Sequence, residues 1–440
     1  MQSSHFIVCP RWLIPIEPAG TVLEQHAVVV RDGTIVAVLP REAAIRDHPG
    51  STLVERARHA LLPGLVNAHT HGAMTLFRGY ADDMPLETWL GERIWPAEAR
   101  WVAPDFVRDG ADLALLEMLH GGTTAFADMY FYPDAMAAAV ADSGLRASIG
   151  MIVLDLPTAW ARSPEEYLEK ALALRDQLKG HPRISTMFAP HAPYTVGNQT
   201  FERIRMLADE LDALVHMHVL ETATEIASSM ESHRCRPLQR LASLGLLTPQ
   251  LSAIHMTQLA ADDISLVARS GANVVHCPES NLKLASGTCP VAELVAAGVN
   301  VALGTDGAAS NNDLDMFGEM RTAALLAKGM THEARALPAS TILEMATLNG
   351  ARALGIGDRV GSIIPGKEAD FICVDLERPA TMPVHSPVSQ LVYSTSRDQV
   401  TDVWVGGEQL LEHGRPVRAD SDSILRRAAE WGRKLGNARD

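Results

Sequence analysis

With 440 residues, 47% of them hydrophobic and 21% charged, the chain has ample material for a large buried core, which excludes a disordered or fibrous protein. A formal net charge of −15, with no run of Lys and Arg, argues against a surface built to neutralise nucleic-acid phosphates or to sit on an anionic membrane. The five cysteines, Cys9, Cys235, Cys277, Cys289 and Cys373, are scattered without CxxC spacing, as expected of reduced thiols in a cytoplasmic protein rather than of a disulfide framework.

The opening "MQSSHFIVCPRWLIPIEP" lacks the basic stretch and unbroken apolar run of a secretory leader. No later segment runs the ~18 residues of a membrane helix without charge, Pro or Gly. The first sixty residues read as short strands, with the Asp-Gly hairpin signal "RDGT" inside "HAVVVRDGTIVAVLP". Residues 366 to 410 repeat that texture in "GKEADFICVDL" and "DVWVGGEQLLEHGRPV", so the two chain ends are expected to join.

From residue 61 to 365 the pattern changes. Eight apolar β-like runs, "LLPGLVNAHTH", "TTAFADMYF", "RASIGMIVLDL", "RISTMFAPHAPY", "ALVHMHVLE", "LSAIHMTQ", "ANVVHCPES" and "NVALGTDGAAS", are mostly separated by helical patterns such as "SPEEYLEKALALRDQLKG". Continuous apolar strands alternating with helices predict a parallel sheet covered on its faces, and this length suits a (β/α)8 TIM-type barrel, with a doubly wound open sheet as the alternative. The expected layout is a small β-sandwich-like domain from residues 1–60 plus 366–420, a barrel over 61–365, and an amphipathic C-terminal helix over 421–440.

A barrel places its functional groups at the carboxyl ends of the strands. There the chain carries His69 and His71, His191, His218 and Glu221, His255, and Asp306. His69 and His71 are two apart, so on a strand they point the same way and can grip one ion. Five histidines and two carboxylates at one rim imply a shared purpose, because buried ionisable groups are costly unless paired or metal-bound.

The stretches "NAHTHGAMTLFRGYADDMPLETWL", "HVLET", "HCPESNLKLASG" and "LGTDGAASNNDLDMFGEMR" resemble the amidohydrolase superfamily, and in particular its methylthioadenosine/S-adenosylhomocysteine deaminases, from about residue 55 to 385. The resemblance implies one divalent metal on His69, His71, His218 and Asp306. That donor set favours Zn²⁺ over Fe²⁺ or Mn²⁺. Two-metal members carry a bridging lysine on the fourth strand; "RISTMFAPHAPY" has none, so a single ion is expected. His216 shares the parity of His218 and competes as a ligand; His218 is preferred for its place nearer the strand end and three residues before Glu221.

The implied reaction is hydrolytic deamination at C6 of an adenine nucleoside. Glu221 would protonate N1, Asp306 would carry a proton from the attacking water to the leaving ammonia, and His255 would hydrogen-bond the nucleophile or the developing alkoxide. Glu98 in "IWPAEAR" would accept the ribose hydroxyls, and His191 would contact the sugar or the ring. Trp89, Met74 and Phe77 are candidates to wall an apolar 5′ pocket.

Family members that take S-adenosylhomocysteine can hold its carboxylate with arginines after the third strand. Here Met151 stands at one such position and only Arg162 lies near the other, which favours 5′-methylthioadenosine or adenosine. Three alternatives stay open: guanine or cytosine deamination or triazine hydrolysis at the same centre, and a non-catalytic nucleoside-binding module. The H-x-E and P-C-x-x-C signature of nucleic-acid-editing zinc deaminases is absent. The expected partner is a small nucleoside, with neither nucleic acid nor membrane, and a homo-oligomer is left open.

Overall fold

The computed structural model describes residues 5–437. The ends of the expected N- and C-terminal segments, residues 1–4 and 438–440, lie outside them.

Strands from both chain ends form one nine-stranded mixed sheet. His5–Leu13, Leu23–Glu24, His26–Arg31, Thr34–Pro40 and Thr52–Pro63 come from the first part. Phe371–Asp375, Val400–Val405, Glu408–Glu412 and Arg415–Pro416 come from the last. The halves meet where Thr52–Pro63 runs antiparallel to Phe371–Asp375, with Leu61 opposite Cys373. Asp32 and Gly33 both adopt left-handed conformations, the turn that the Asp-Gly signal predicts and that matches strand twist. The sheet coils enough to stack Phe6 on Trp404, ring centroids 6.3 Å apart, closing a sandwich-like core.

Eight further strands, β1 (Leu65–Thr70), β2 (Thr123–Tyr130), β3 (Arg146–Val153), β4 (Ile184–Pro190), β5 (Val215–Val219), β6 (Leu251–His255), β7 (Asn273–His276) and β8 (Val301–Leu303), pair in parallel and in chain order. Consecutive order excludes the doubly wound alternative, whose strand order reverses at a switch point. All but one of these strands are buried along their whole length by helices outside and side chains within; β4 alone has less buried positions, at Ser185 and Thr186.

The cylinder closes through side-chain and backbone bonds between β1 and the turn after β8. The Asn67 amide donates to Thr305 Oγ1 at 2.7 Å, its carbonyl accepts the Thr305 N–H at 3.0 Å, and the Asp306 N–H donates to the His69 carbonyl at 3.0 Å. The first barrel strand is shorter than the run "LLPGLVNAHTH" suggests. Leu61–Pro63 finish the long strand of the small sheet, and Gly64 switches sheets where a Cβ would stand 2.0 Å from Thr124 Oγ1. The C-terminal helix, Ser421–Gly436, returns to the barrel helix Pro104–His120, where Arg427 pairs with Asp109 and Asp112 and Trp431 Nε1–H donates to Asp109. Among the described residues, no helix is long and apolar enough to cross a membrane.

Candidate active site

The carboxyl ends of the barrel strands converge on one cleft. His69 and His71, two residues apart at the end of β1, point the same way, and the glycines of "LGTDG" let β8 close on them. A Cβ on Gly304 would stand 2.8 Å from the His69 nitrogen, and one on Gly307 3.0 Å from His71 Cβ. Leu220, His255 and Asp306, at three site-bearing turns, all adopt left-handed backbone (φ 54°, 75° and 62°), the strained geometry that functional sites tend to hold.

Three imidazoles and one carboxylate meet at van der Waals range. Asp306 Oδ1 lies 3.4 Å from His69 Nε2 and 3.2 Å from His71 Nε2, and His218 Nε2 lies 3.3 Å from His69 Nε2. These separations match the edges, about 3.3 Å, of a tetrahedron of donors around a cation at about 2.0–2.1 Å.

The outer ring nitrogens are already engaged. His218 Nδ1–H donates to the His191 carbonyl at 2.8 Å, His71 Nδ1–H donates to the Met129 carbonyl, and His69 Nδ1 is 2.8 Å from His216 Nε2. The carbonyls oblige His71 and His218 to carry their protons on Nδ1, so their Nε2 lone pairs face the cluster that His69 Nε2 and the Asp306 carboxylate complete. Such an array repels itself unless a cation sits between, so the residues fit a divalent metal. His255 stands at the edge of the same cluster.

Electrostatics divide the carboxyls into two kinds. Burial pushes the Asp306 carboxyl up, but His69 and His71 outweigh it and hold it well below the usual range. The Ser280 and Ser310 hydroxyls donate to its Oδ2 at 2.7 and 2.9 Å. Glu221 is driven well above the usual range by burial, then by the charges of Asp306 and Glu225. Its Oε2 is 3.7 Å from His255 Nε2. Glu225 accepts the backbone N–H groups of Leu220 and Glu221 at 3.0 and 2.9 Å, fixing the turn from which Glu221 projects.

Glu98, on the helix Trp95–Trp101, is pushed up to about 7 by burial, against a hydrogen bond of 2.8 Å donated by Tyr130. His191, whose Nδ1 is 3.0 Å from Thr195 Oγ1, is lowered to about 3, chiefly by burial.

Of the eight residues singled out in the sequence, seven line one cleft of about 720 Å³: His71, Glu98, His191, His218, Glu221, His255 and Asp306. The eighth, His69, lies fully buried beneath it. Trp89 and Met74 also line it, whereas Phe77 packs away against Phe106. Sequence reasoning passed over Tyr130, Ser310 and Glu225. Tyr130 ends β2 and could have been found by applying the strand-end rule to aromatics as well as to ionisable groups.

A parallel barrel bearing three histidines and an aspartate at its carboxyl rim defines a barrel hydrolase. The chain belongs to the amidohydrolase family, whose model matches residues 60–410. It is 51% identical to the 5-methylthioadenosine/S-adenosylhomocysteine deaminase of Teredinibacter turnerae over 97% of both chains. It is 46% identical to the protein of that name from Saccharophagus degradans, over 98% of this chain and 97% of the other. Among solved structures, an adenosine deaminase from Xanthomonas campestris with bound zinc superposes with a TM-score of 0.97 at 52% identity, covering 98% of each chain. Atrazine chlorohydrolase from Arthrobacter aurescens complexed with zinc superposes at 0.91 with 25% identity, covering 97% of this chain and 99% of that one.

Proposed function

We propose that the chain is a metal-dependent hydrolase that converts an adenine nucleoside to its inosine analogue and ammonia. The observation that carries this reading is the pairing, in one cleft, of a convergent four-donor set with a buried carboxyl, Glu221, whose surroundings favour its protonated form. The relatives named deaminases, alike over nearly their whole length, support it.

His69, His71, His218 and Asp306 would hold a single divalent ion, zinc by donor preference, which supplies Lewis-acid activation of water near neutral pH. Glu221, kept protonated by burial, donates to N1 as the water oxygen bonds to C6. Asp306 takes one proton from that water and delivers it to the amino group, which leaves as ammonia. Loss of the second water proton to Glu221 restores the acid and leaves the C6 carbonyl. His255 directs the attacking oxygen, and Glu98, braced by Tyr130, accepts the ribose hydroxyls while His191 borders sugar or ring.

The 5′ end selects among nucleosides. A second cavity shares Trp95, Glu98, Phe131 and Leu154 with the cleft and continues along Leu156, Pro157 and Ala159. Among the described residues, neither cavity is lined by Lys or Arg. Met151 is buried in β3, and Arg162 is exposed away from both. An apolar thioether fits such walls, whereas a homocysteine carboxylate finds no counter-charge.

Ammonia release from methylthioadenosine, adenosine, S-adenosylhomocysteine, adenine and guanine, measured side by side on zinc-loaded protein, tests this. Methylthioadenosine and adenosine should react, with S-adenosylhomocysteine at least about 10-fold lower in kcat/KM, the worth of about one charged hydrogen bond. Turnover of free bases alone would reject the nucleoside reading.

A further inference from the structure

His216 lies two residues before His218 on β5 and faces the barrel interior one layer deeper, 2% exposed. Its Nε2 is 2.8 Å from His69 Nδ1, with ring centroids 5.0 Å apart. The other two imidazoles of the donor set are held by backbone carbonyls, those of Met129 and His191. His69, fully buried, is held by a side chain instead.

One proton lies between the two rings, and its position decides what His69 can do. If His216 donated it, His69 would carry its own proton on Nε2, aimed at His218 Nε2 3.3 Å away and into the donor cluster. With His216 accepting, His69 Nε2 presents a lone pair, as metal binding requires.

We infer that His216 is a positioning residue: by accepting the His69 Nδ1 proton it fixes the tautomer and ring orientation of the most deeply buried metal ligand. β5 thus supplies one ligand, His218, and the support of another. This rests on the cation site proposed above.

Two polar replacements separate hydrogen bonding from packing. The amide of Gln reaches the place of Nε2, whereas that of Asn reaches only the place of Nδ1. Zinc affinity is measured by competition with a chromophoric chelator, alongside the visible spectrum of the cobalt-loaded protein and far-ultraviolet circular dichroism. His216→Asn should bind zinc about 10–100-fold more weakly than wild type and alter the cobalt bands, with its fold retained. His216→Gln should return to within about 3-fold of wild type and restore the bands. Equal affinities for the two variants, whether both tight or both weak, would overturn the inference. Failure of the wild-type chain to take up zinc, or uptake undiminished by His218→Ala, would instead remove the cation site and the inference with it.

Discussion

Glu221 and Asp306 are both buried carboxyls, yet their surroundings drive them apart, one toward the acid and one toward the carboxylate. That division is what the proposed donor and acceptor roles require. Glu221→Gln keeps the shape and removes the transferable proton. Its kcat should fall at least about 100-fold while zinc content and calorimetric binding of methylthioadenosine persist. Glu98 offers a pH test. Its carboxyl, raised to about 7, is ionised above that value and protonated below it. In the proposed role as acceptor for the ribose hydroxyls, Glu98 loses its charge as pH falls from 8 to 6, and KM should rise over that interval. Glu98→Gln should show a KM at least about 10-fold higher, flat over the same range. That His69, His71, His218 and Asp306 meet at one rim was legible in the sequence because a period-two pair and strand-end polar groups contradict an apolar run. Glu225 was not, because on paper it is an ordinary acidic residue in the first turn of a helix. Its bonds to two backbone amides exist only once the turn after β5 is folded.

At the scale of elements, the turn after β8 is shaped by what it must pass. Gly304 and Gly307 leave room for His69 and His71, and a methyl at Gly304 would meet His69 atoms at 2.8 to 3.1 Å, tighter than backbone tolerates. Gly304→Ala should therefore force β8 off β1 and reduce bound zinc several-fold, measured by metal analysis of folded protein. Gly91→Ala, where a Cβ meets nothing within 4 Å, serves as the control. The eight barrel strands were readable because strands buried on both faces are written as unbroken apolar runs. The handover at Gly64 was not, since Leu61–Pro63 and Leu65–Val66 read as one apolar run and only the sheet each one joins distinguishes them. The π-helical turn Trp89–Ile94, which brings Trp89 to the cleft, likewise has no separate mark in "LETWLGERI".

The whole molecule depends on ion pairs that neither chain end completes alone. Arg146, 4% exposed at the start of β3, binds Asp370 and Glu368 and ties the barrel to the small sheet. Within that sheet Arg56 from the first part donates to the fully buried Asp402 from the last. Burial raises the Asp402 carboxyl, but bonds from Arg56 and Thr401 prevail and hold it below its usual 3.8. A lowered carboxyl contributes stability that is present above its usual value and is lost as pH falls through the folded one. Asp402→Asn should cost about 3 kcal/mol in urea unfolding at pH 7, and less as pH drops below 4. That the two ends share a sheet was legible from their matching β texture. Its strand order and the pairs that fasten it were not, because partners more than 300 residues apart leave no local pattern.

The most direct test follows the oxygen. Zinc-loaded protein is incubated with methylthioadenosine in ¹⁸O-labelled water, and the products are read by mass spectrometry together with ammonia release. The account predicts the inosine analogue carrying one labelled oxygen at C6, with one ammonia per nucleoside. Unchanged nucleoside, or cleavage to free adenine with the label on the sugar, would contradict it.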